Sequence, residues 1–309
     1  MIDITLLGTA ATMPLPARAL SSALLSCAGR SILLDCGEGT QAAARKAHVS
    51  LMKTDLIALT HYHGDHVFGL PGLLQTFSCL GRTAPLYITG PEGLEELLNP
   101  VLKLSGPLPF RILPLTLPED GALDAVLPGW SGDAHLHAFP TNHRVPSLGY
   151  CFSLTRPGKF DPSAADALGV PPNHRGALQR GKAVTLDSGA VITPDMVLGQ
   201  ARKGLRVVFS GDTAPCPALT EAAAGADLLL CDATYGEDAY AAQAELYGHC
   251  TFSQAGKLAA QAGVRRLCLT HFSQIMETPE DFLPLAQAEF PDAVCGFDGL
   301  SIRLKFEER

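Results

Sequence analysis

The chain has 309 residues, 47% of them hydrophobic, and a formal charge of −8. That is enough apolar material for a substantial core, but no run reaches the ~20 apolar residues of a membrane span. Taken over the whole chain, the negative charge argues against a nucleic-acid partner, which normally leaves a basic footprint.

The N-terminus enters a strand-like run, Ile2–Leu7, with no basic leader, long apolar stretch or small-residue cleavage site before it, so a cytoplasmic protein is expected. No linker marks a boundary, and the reading is one domain, 1–309, carrying an insertion. The nine cysteines are odd in number, form no C-x-x-C pair and mostly sit in apolar runs, which predicts reduced core thiols.

Strand-like Ile2–Leu7 and Ser31–Asp35, a helix near Gly39–Ala47 and the buried-strand run Asp55–Thr60 alternate as in an α/β layer structure. The turn Gly37-Glu38-Gly39-Thr40 either only packs or takes a direct part in the site at the next strand end. That site is His61-Tyr62-His63-Gly64-Asp65-His66, four candidate metal ligands in six residues. In an extended segment positions i and i+2 share a side, so His61 and His63 can hold one ion. Gly64 permits a sharp turn, after which Asp65 and His66 open a helix running into Val67-Phe68-Gly69-Leu70 and face back toward a second ion. Imidazole and carboxylate without thiolate suit zinc, or manganese or another divalent ion.

Further on, Pro85–Ile88 reads as a strand and Gly93–Leu104 as a helix. The alternating run His135–Pro140 ends just before His143, and Leu148–Leu154 is a strand. Arg206–Thr213 is a strand running into a turn that carries Asp212, whose two oxygens suit a bridge. Asp227–Thr234 repeats that pattern with Asp232 and is followed by His249; for these two a turn or capping role is an equal alternative. Arg266–His271 closes the series and mirrors Ala58–His61, as two similar αβ halves would. Ligands of α/β sheets bind beyond the carboxyl ends of strands, so His143, Asp212 and His271 should converge on the first cluster.

Charge is unevenly spread. Between Arg156 and Arg206 eight basic residues face four acidic ones, a local +4 against −12 elsewhere, which reopens the question of a phosphate-bearing partner.

The run Thr60–His66 resembles the HxHxDH signature of the metallo-β-lactamase fold superfamily, which implies a four-layer αββα sandwich with a two-metal site. Ile4–Thr9, Leu34–Gln41, His63–Leu74, Phe139–Val145, Ser210–Thr213 and Leu269–His271 together resemble the ribonuclease Z family of tRNA 3′-processing endonucleases. The resemblance implies two zinc ions, with His61, His63 and His143 on the first, Asp65, His66 and His271 on the second, and Asp212 between them. It also implies Asp65 as the base toward water, His249 as proton donor to the leaving oxygen, Asp232 as its orienting partner, precursor tRNA as substrate and a homodimer. Residues 155–203 are similar to the family's inserted tRNA-binding arm. Departures from the family pattern fall at Leu20, at Asn173 in the arm, at Asp232, one methylene shorter than the usual Glu, and at Gln274. The alternatives are a phosphodiesterase or general hydrolase for small substrates, which needs no arm, and an RNA-binding scaffold with structural zinc.

Overall fold

The computed structural model describes residues 1–117, 130 and 133–307. The chain forms two compact units, one of Met1–Ser153 with Leu205–Lys305, the other of Leu154–Gly204 with the tail from Phe306.

In chain order the elements begin with β1 (Ile2–Gly8), β2 (Ser22–Cys27), β3 (Arg30–Leu34), α1 (Thr40–Lys46) and β4 (Thr54–Ala58). Next come α2 (Gly64–Val67), α3 (Leu70–Cys79), β5 (Leu86–Gly90), α4 (Leu94–Ser105), β6 (Ile112–Thr116), β7 (Ala134–Pro140) and β8 (Leu148–Arg156). The smaller unit supplies α5 (Pro162–Ala167), α6 (Pro172–Gln179), β9 (Val184–Thr185) and β10 (Val191–Ile192). The chain continues with β11 (Arg202–Phe209), α7 (Pro217–Ala223), β12 (Leu228–Asp232), α8 (Ala241–Tyr247), α9 (Phe252–Ala262), β13 (Leu267–Thr270), α10 (Leu283–Gln287), β14 (Ala293–Cys295) and β15 (Ser301–Leu304).

The larger unit is an αββα sandwich. One sheet has seven strands in the order β15-β1-β2-β3-β4-β5-β6, the other six in the order β14-β13-β12-β11-β8-β7. β3 through β6 run parallel, as do β11 through β14. Parallel strands covered on both faces must be apolar along their whole length, and Leu228-Leu229-Leu230-Cys231 of β12 and Leu56-Ile57-Ala58 of β4 are fully buried. Outside the first sheet, Leu73, Leu74 and Phe77 of α3 and Leu94 and Leu98 of α4 share a core with Leu33 and Ile57. Outside the second, Ala255, Leu258 and Ala259 of α9 pack with Leu229 and Leu269. Helix α9 is held at its start by a reciprocal Thr251–Gln254 capping box and ends at Gly263 in the left-handed conformation.

Two elements differ from the sequence reading. β2 has no alternating pattern to betray it, because Ala23, Leu24 and Leu25 are buried on both faces between β1 and β3. The helix expected to run on through Val67-Phe68-Gly69-Leu70 is two helices, α2 and α3. The break is a docking point: the Gly69 N–H donates to Cys36 O at 2.9 Å, and a Cβ on Gly69 would lie 2.2 Å from Gly37 O. The expected core thiols also need a correction, since Cys79 is exposed and Cys216 half-buried, though all nine are free.

The smaller unit has its own small core of Ala165, Val170, Leu178, Ile192 and Val197, and its two short strands pair antiparallel. Among the described residues, no helix is long and apolar enough to cross a membrane.

Candidate metal centre

Strand ends deliver the candidate ligands. Beyond β4 the chain places His61, His63, Asp65 and His66; beyond β7 it places His143; beyond β11, Asp212; and beyond β13, His271. The seven residues singled out from the sequence therefore meet, and they fall into three overlapping donor groups.

In the first group His61 Nε2 lies 3.0 Å from His63 Nδ1, and His143 Nε2 lies 3.3 Å from that same atom. Nitrogens about 2.0–2.1 Å from a tetrahedral zinc stand roughly 3.3 Å apart, so these donors fit one such ion. In the second group His66 Nε2 and His271 Nε2 are 3.3 Å apart, and Asp65 Oδ2 lies 3.4 Å from His271 Nε2 and 3.8 Å from His66 Nε2. Asp212 reaches both groups, with Oδ1 3.3 Å from the Nε2 atoms of His66 and His271 and Oδ2 3.7 Å from His61 Nε2.

The electrostatics of the groups point the same way. Burial, reinforced by the charge of His66, holds His61 well below the ordinary histidine range, which leaves its ring neutral as a ligand must be. Burial also lowers His63 and His143. Burial alone would neutralise Asp65 and Asp212, yet the neighbouring imidazoles outweigh it and both carboxyls stay well below their usual range. His66 is pushed well above its ordinary value against burial, chiefly by Asp212 and Asp35. A buried pocket with two carboxylates that draws a proton onto histidine is one that attracts positive charge, and a divalent cation answers that demand.

Behind the ligands stands a set of groups that fixes the rings. Asp35 is wholly buried, at φ 57, and accepts from His66 Nδ1 at 2.7 Å and from Thr60 Oγ1 at 2.9 Å. The Thr60 hydroxyl has one proton, given to Asp35, so at 3.0 Å it must accept from His61 Nδ1. A second set repeats the design. Thr234 Oγ1 donates to Asp232 Oδ1 at 2.7 Å and accepts from His271 Nδ1 at 2.9 Å, while Asp232 Oδ2 accepts from His249 Nδ1 at 2.7 Å. Each carboxylate and threonine thus orients two imidazoles and turns their Nε2 atoms inward. His271 itself adopts φ 62, a strained conformation for a non-glycine residue.

His143 is set differently. Its Nδ1 donates to Gly248 O at 2.9 Å, and Gly248, the left-handed C-cap of α8, presses so close that a Cβ there would lie 2.7 Å from His143 Cα. The next residue is His249. Burial opposes its protonation, but the charge and hydrogen bond of Asp232 prevail and push the ring up to about 9.

The glycine-rich turn, for which packing alone and a direct role in the site were equal alternatives, supplies no donor and packs against the ligand-bearing segment: a Cβ on Gly37 would lie 2.4 Å from Asp65 O, and Cys36 N donates to His66 O at 2.8 Å. Asp35, Thr60, Thr234 and Gly248 were not singled out in the sequence as functional. Among the departures, Leu20 is buried and Asn173 is exposed near the start of α6. Gln274 belongs to a segment that receives Arg18, whose Nη2 donates to Met276 O and whose guanidinium lies 6.0 Å from the Phe272 ring centre. Cys250, the thiol flanking His249, is buried and donates to Thr213 O at 3.1 Å.

Comparison with known proteins adds to this geometry. Residues 2–105 match the family model described as anti-Pycsar protein Apyc1, and residues 159–272 match that of the beta-lactamase superfamily domain. Curated proteins called ribonuclease Z from Agathobacter rectalis and Lachnospira eligens are each 40% identical over 308 residues, covering all of this chain and 100% and 99% of theirs. The crystal structure of human tRNase Z, short form, superposes with a TM-score of 0.69 at 27% identity, over 98% of this chain and all of the other.

Proposed function

From the premise that the chain belongs to the ribonuclease Z family, we propose that it is a zinc-dependent endoribonuclease that cuts the 3′ trailer from precursor tRNA and leaves a 3′-hydroxyl. The observation that carries the proposal is Asp212 set between two three-residue donor groups, with His249 and its carboxylate beside them. A single structural ion has no use for seven ligands and a bridge.

His61 Nε2, His63 Nδ1 and His143 Nε2 would hold one ion; Asp65, His66 and His271 the other; and Asp212 both. When bound, the pair supplies an acidified water near neutral pH and neutralises charge gathering on the phosphate. Asp65 is fixed by the Thr12 N–H, which donates to Oδ2 at 2.7 Å, and its carboxylate takes up the proton of the attacking water. His249 carries a proton at neutral pH and gives it from Nε2 to the departing 3′-oxygen, because Nδ1 is engaged by Asp232. The shorter acid at position 232 still reaches the ring, because Thr213 N, Thr234 N and Thr234 Oγ1 all donate to its carboxylate and hold it forward.

Residues 155–203 serve as the arm that grips the tRNA through its phosphates. Support comes from the +4 charge of the stretch from Arg156 to Arg206 in an acidic chain, since phosphate contacts position a nucleic acid without reading its sequence. A homodimer, in which one subunit's arm serves the other's site, is proposed from the resemblance, and a cytoplasmic location from the N-terminal sequence. The test is incubation of the purified protein with a 3′-extended precursor tRNA and mapping of the ends. Cleavage after the last tRNA nucleotide, with a 3′-hydroxyl, is expected; intact precursor alongside hydrolysed small phosphodiesters would favour the small-substrate hydrolase.

A further inference from the structure

Half of the chain's six tyrosines fall within thirteen residues, Tyr235, Tyr240 and Tyr247, on the connection that carries α8 from β12 to His249. Tyr235 stacks on Tyr240 with ring centres 5.9 Å apart and planes 26° from parallel, and Tyr235 meets the His249 ring edge-on at 6.3 Å. Tyr247 is covered by Arg144, whose guanidinium carbon lies 4.7 Å from the ring centre. These are not core side chains: Tyr240 is 41% exposed, Arg144 is exposed, and Tyr235 and Tyr247 are half-buried. Aromatic rings used only for packing bury their faces; here a row of flat groups and one cation stand at the rim of the site, next to the proton donor.

We propose that Tyr235, Tyr240, Tyr247 and Arg144 form a stacking subsite for the unpaired nucleobase on the 5′ side of the scissile phosphate. Unstacked bases are held on aromatic rings and guanidinium planes, and such stacking tolerates any base because every base has a π-face. The side is fixed by His249. The oxygen that receives its proton belongs to the ribose on the 5′ side of the cut, so the base of that ribose is the one brought to the tyrosines. Arg144 adds a positive charge for the flanking phosphate. This inference rests on the endoribonuclease reading and on the role given there to His249.

The test uses two precursor tRNAs, one normal and one abasic at the nucleotide 5′ of the cut, in single-turnover cleavage by the wild type and by Y240A, Y247A and R144A. Stacking on a ring by alanine substitution is worth about 5- to 150-fold. The wild type should prefer the normal substrate by a factor in that range; Y240A and Y247A should lose part of that preference, cutting the abasic RNA about as the wild type does, while R144A should lose part of it and also slow both RNAs through the lost phosphate contact. Y240F and Y247F should restore it. Independently of turnover, 2-aminopurine at the same position should be quenched on binding the wild type and less so on binding Y247A. Equal cleavage of both RNAs by the wild type, or equal losses on both in Y240A and Y247A, would overturn the subsite. Failure of the wild type to cut either RNA would instead sink the endoribonuclease reading.

Discussion

Replacing Gly248 by alanine should disable the metal centre without replacing a ligand. Two costs are readable in the structure. Gly248 sits at φ +73, where a Cβ costs about 1–2 kcal/mol, and the new methyl would stand 2.7 Å from His143 Cα and 2.8 Å from its Nδ1. Ordinary contact begins near 3.4 Å, so His143 must retreat by about 0.7 Å, several times the ±0.2 Å that metal-ligand distances tolerate. The first donor group then keeps two good nitrogens, and its affinity should fall by at least the roughly 10–100-fold that follows loss of a ligand's outer hydrogen-bond partner. Gly263 provides the control: it has the same left-handed conformation at φ +62, with nothing within 4 Å of its Cβ position. G263A should therefore lower Tm by only a few degrees and leave metal content alone. Metal per chain after dialysis against a graded zinc buffer, beside thermal melts of both variants, is the assay. G248A that holds the wild-type metal complement at wild-type affinity would refute the steric reasoning.

Metal content of protein never exposed to chelator should approach two ions per chain, and a value that stays at one in excess zinc would remove the bridging role of Asp212. D65A should lose hydrolysis more completely than it loses metal, because a ligand and the proton acceptor disappear together; parallel losses in elemental analysis and cleavage rate would assign Asp65 a ligand role alone. His249 is the raised group, so the activity it supports is present below its pKa and is lost as pH rises through it, at or below about pH 9 because bound cations pull the value down. D232N should move that alkaline limb to lower pH, and H249A should abolish the limb while keeping the metals; pH–rate profiles decide both. Replacing residues 154–204 by a short flexible linker is sterically simple, since the Cβ position of Gly204 lies only 2.4 Å from Leu154 O. The shortened protein should still hydrolyse a small aryl phosphodiester but lose precursor tRNA by orders of magnitude, with a flatter salt dependence. Unchanged tRNA cleavage would exclude the arm.

What the sequence discloses and what it hides divide along physical lines. His61, His63, Asp65 and His66 lie within six residues, and His143, Asp212 and His271 each follow a strand-like run, so strand-end logic gathers all seven. Short continuous apolar runs that end at a candidate site residue also mark β4, β12 and β13. The supporting groups leave no such trace. Thr60 and Thr234 act through one hydroxyl each, and threonine in a strand is commonplace. Asp35 looks like an ordinary turn residue until its φ of 57 and its bond to His66 are seen. Gly248 supports a histidine 105 positions earlier in the chain, a relation that no local spacing encodes. β2 escapes because it does not alternate and no candidate site residue marks its end, and the break between α2 and α3 escapes because its cause is the backbone of Gly37, brought in from another element.

Neither donor group belongs to one sheet. His61 and His63 follow β4 in the seven-stranded sheet, whereas His143 follows β7 in the six-stranded one; Asp65 and His66 likewise face His271 and Asp212 across the sandwich. Two ions held there would act as rivets through the seam at the ligand-bearing rim. The seam could not open at that rim without breaking coordination, so metal affinity and resistance to unfolding become a single linked quantity. Chelation would then loosen the shell as well as stop the chemistry, and hydrogen exchange should quicken first where β4, β7 and β13 end.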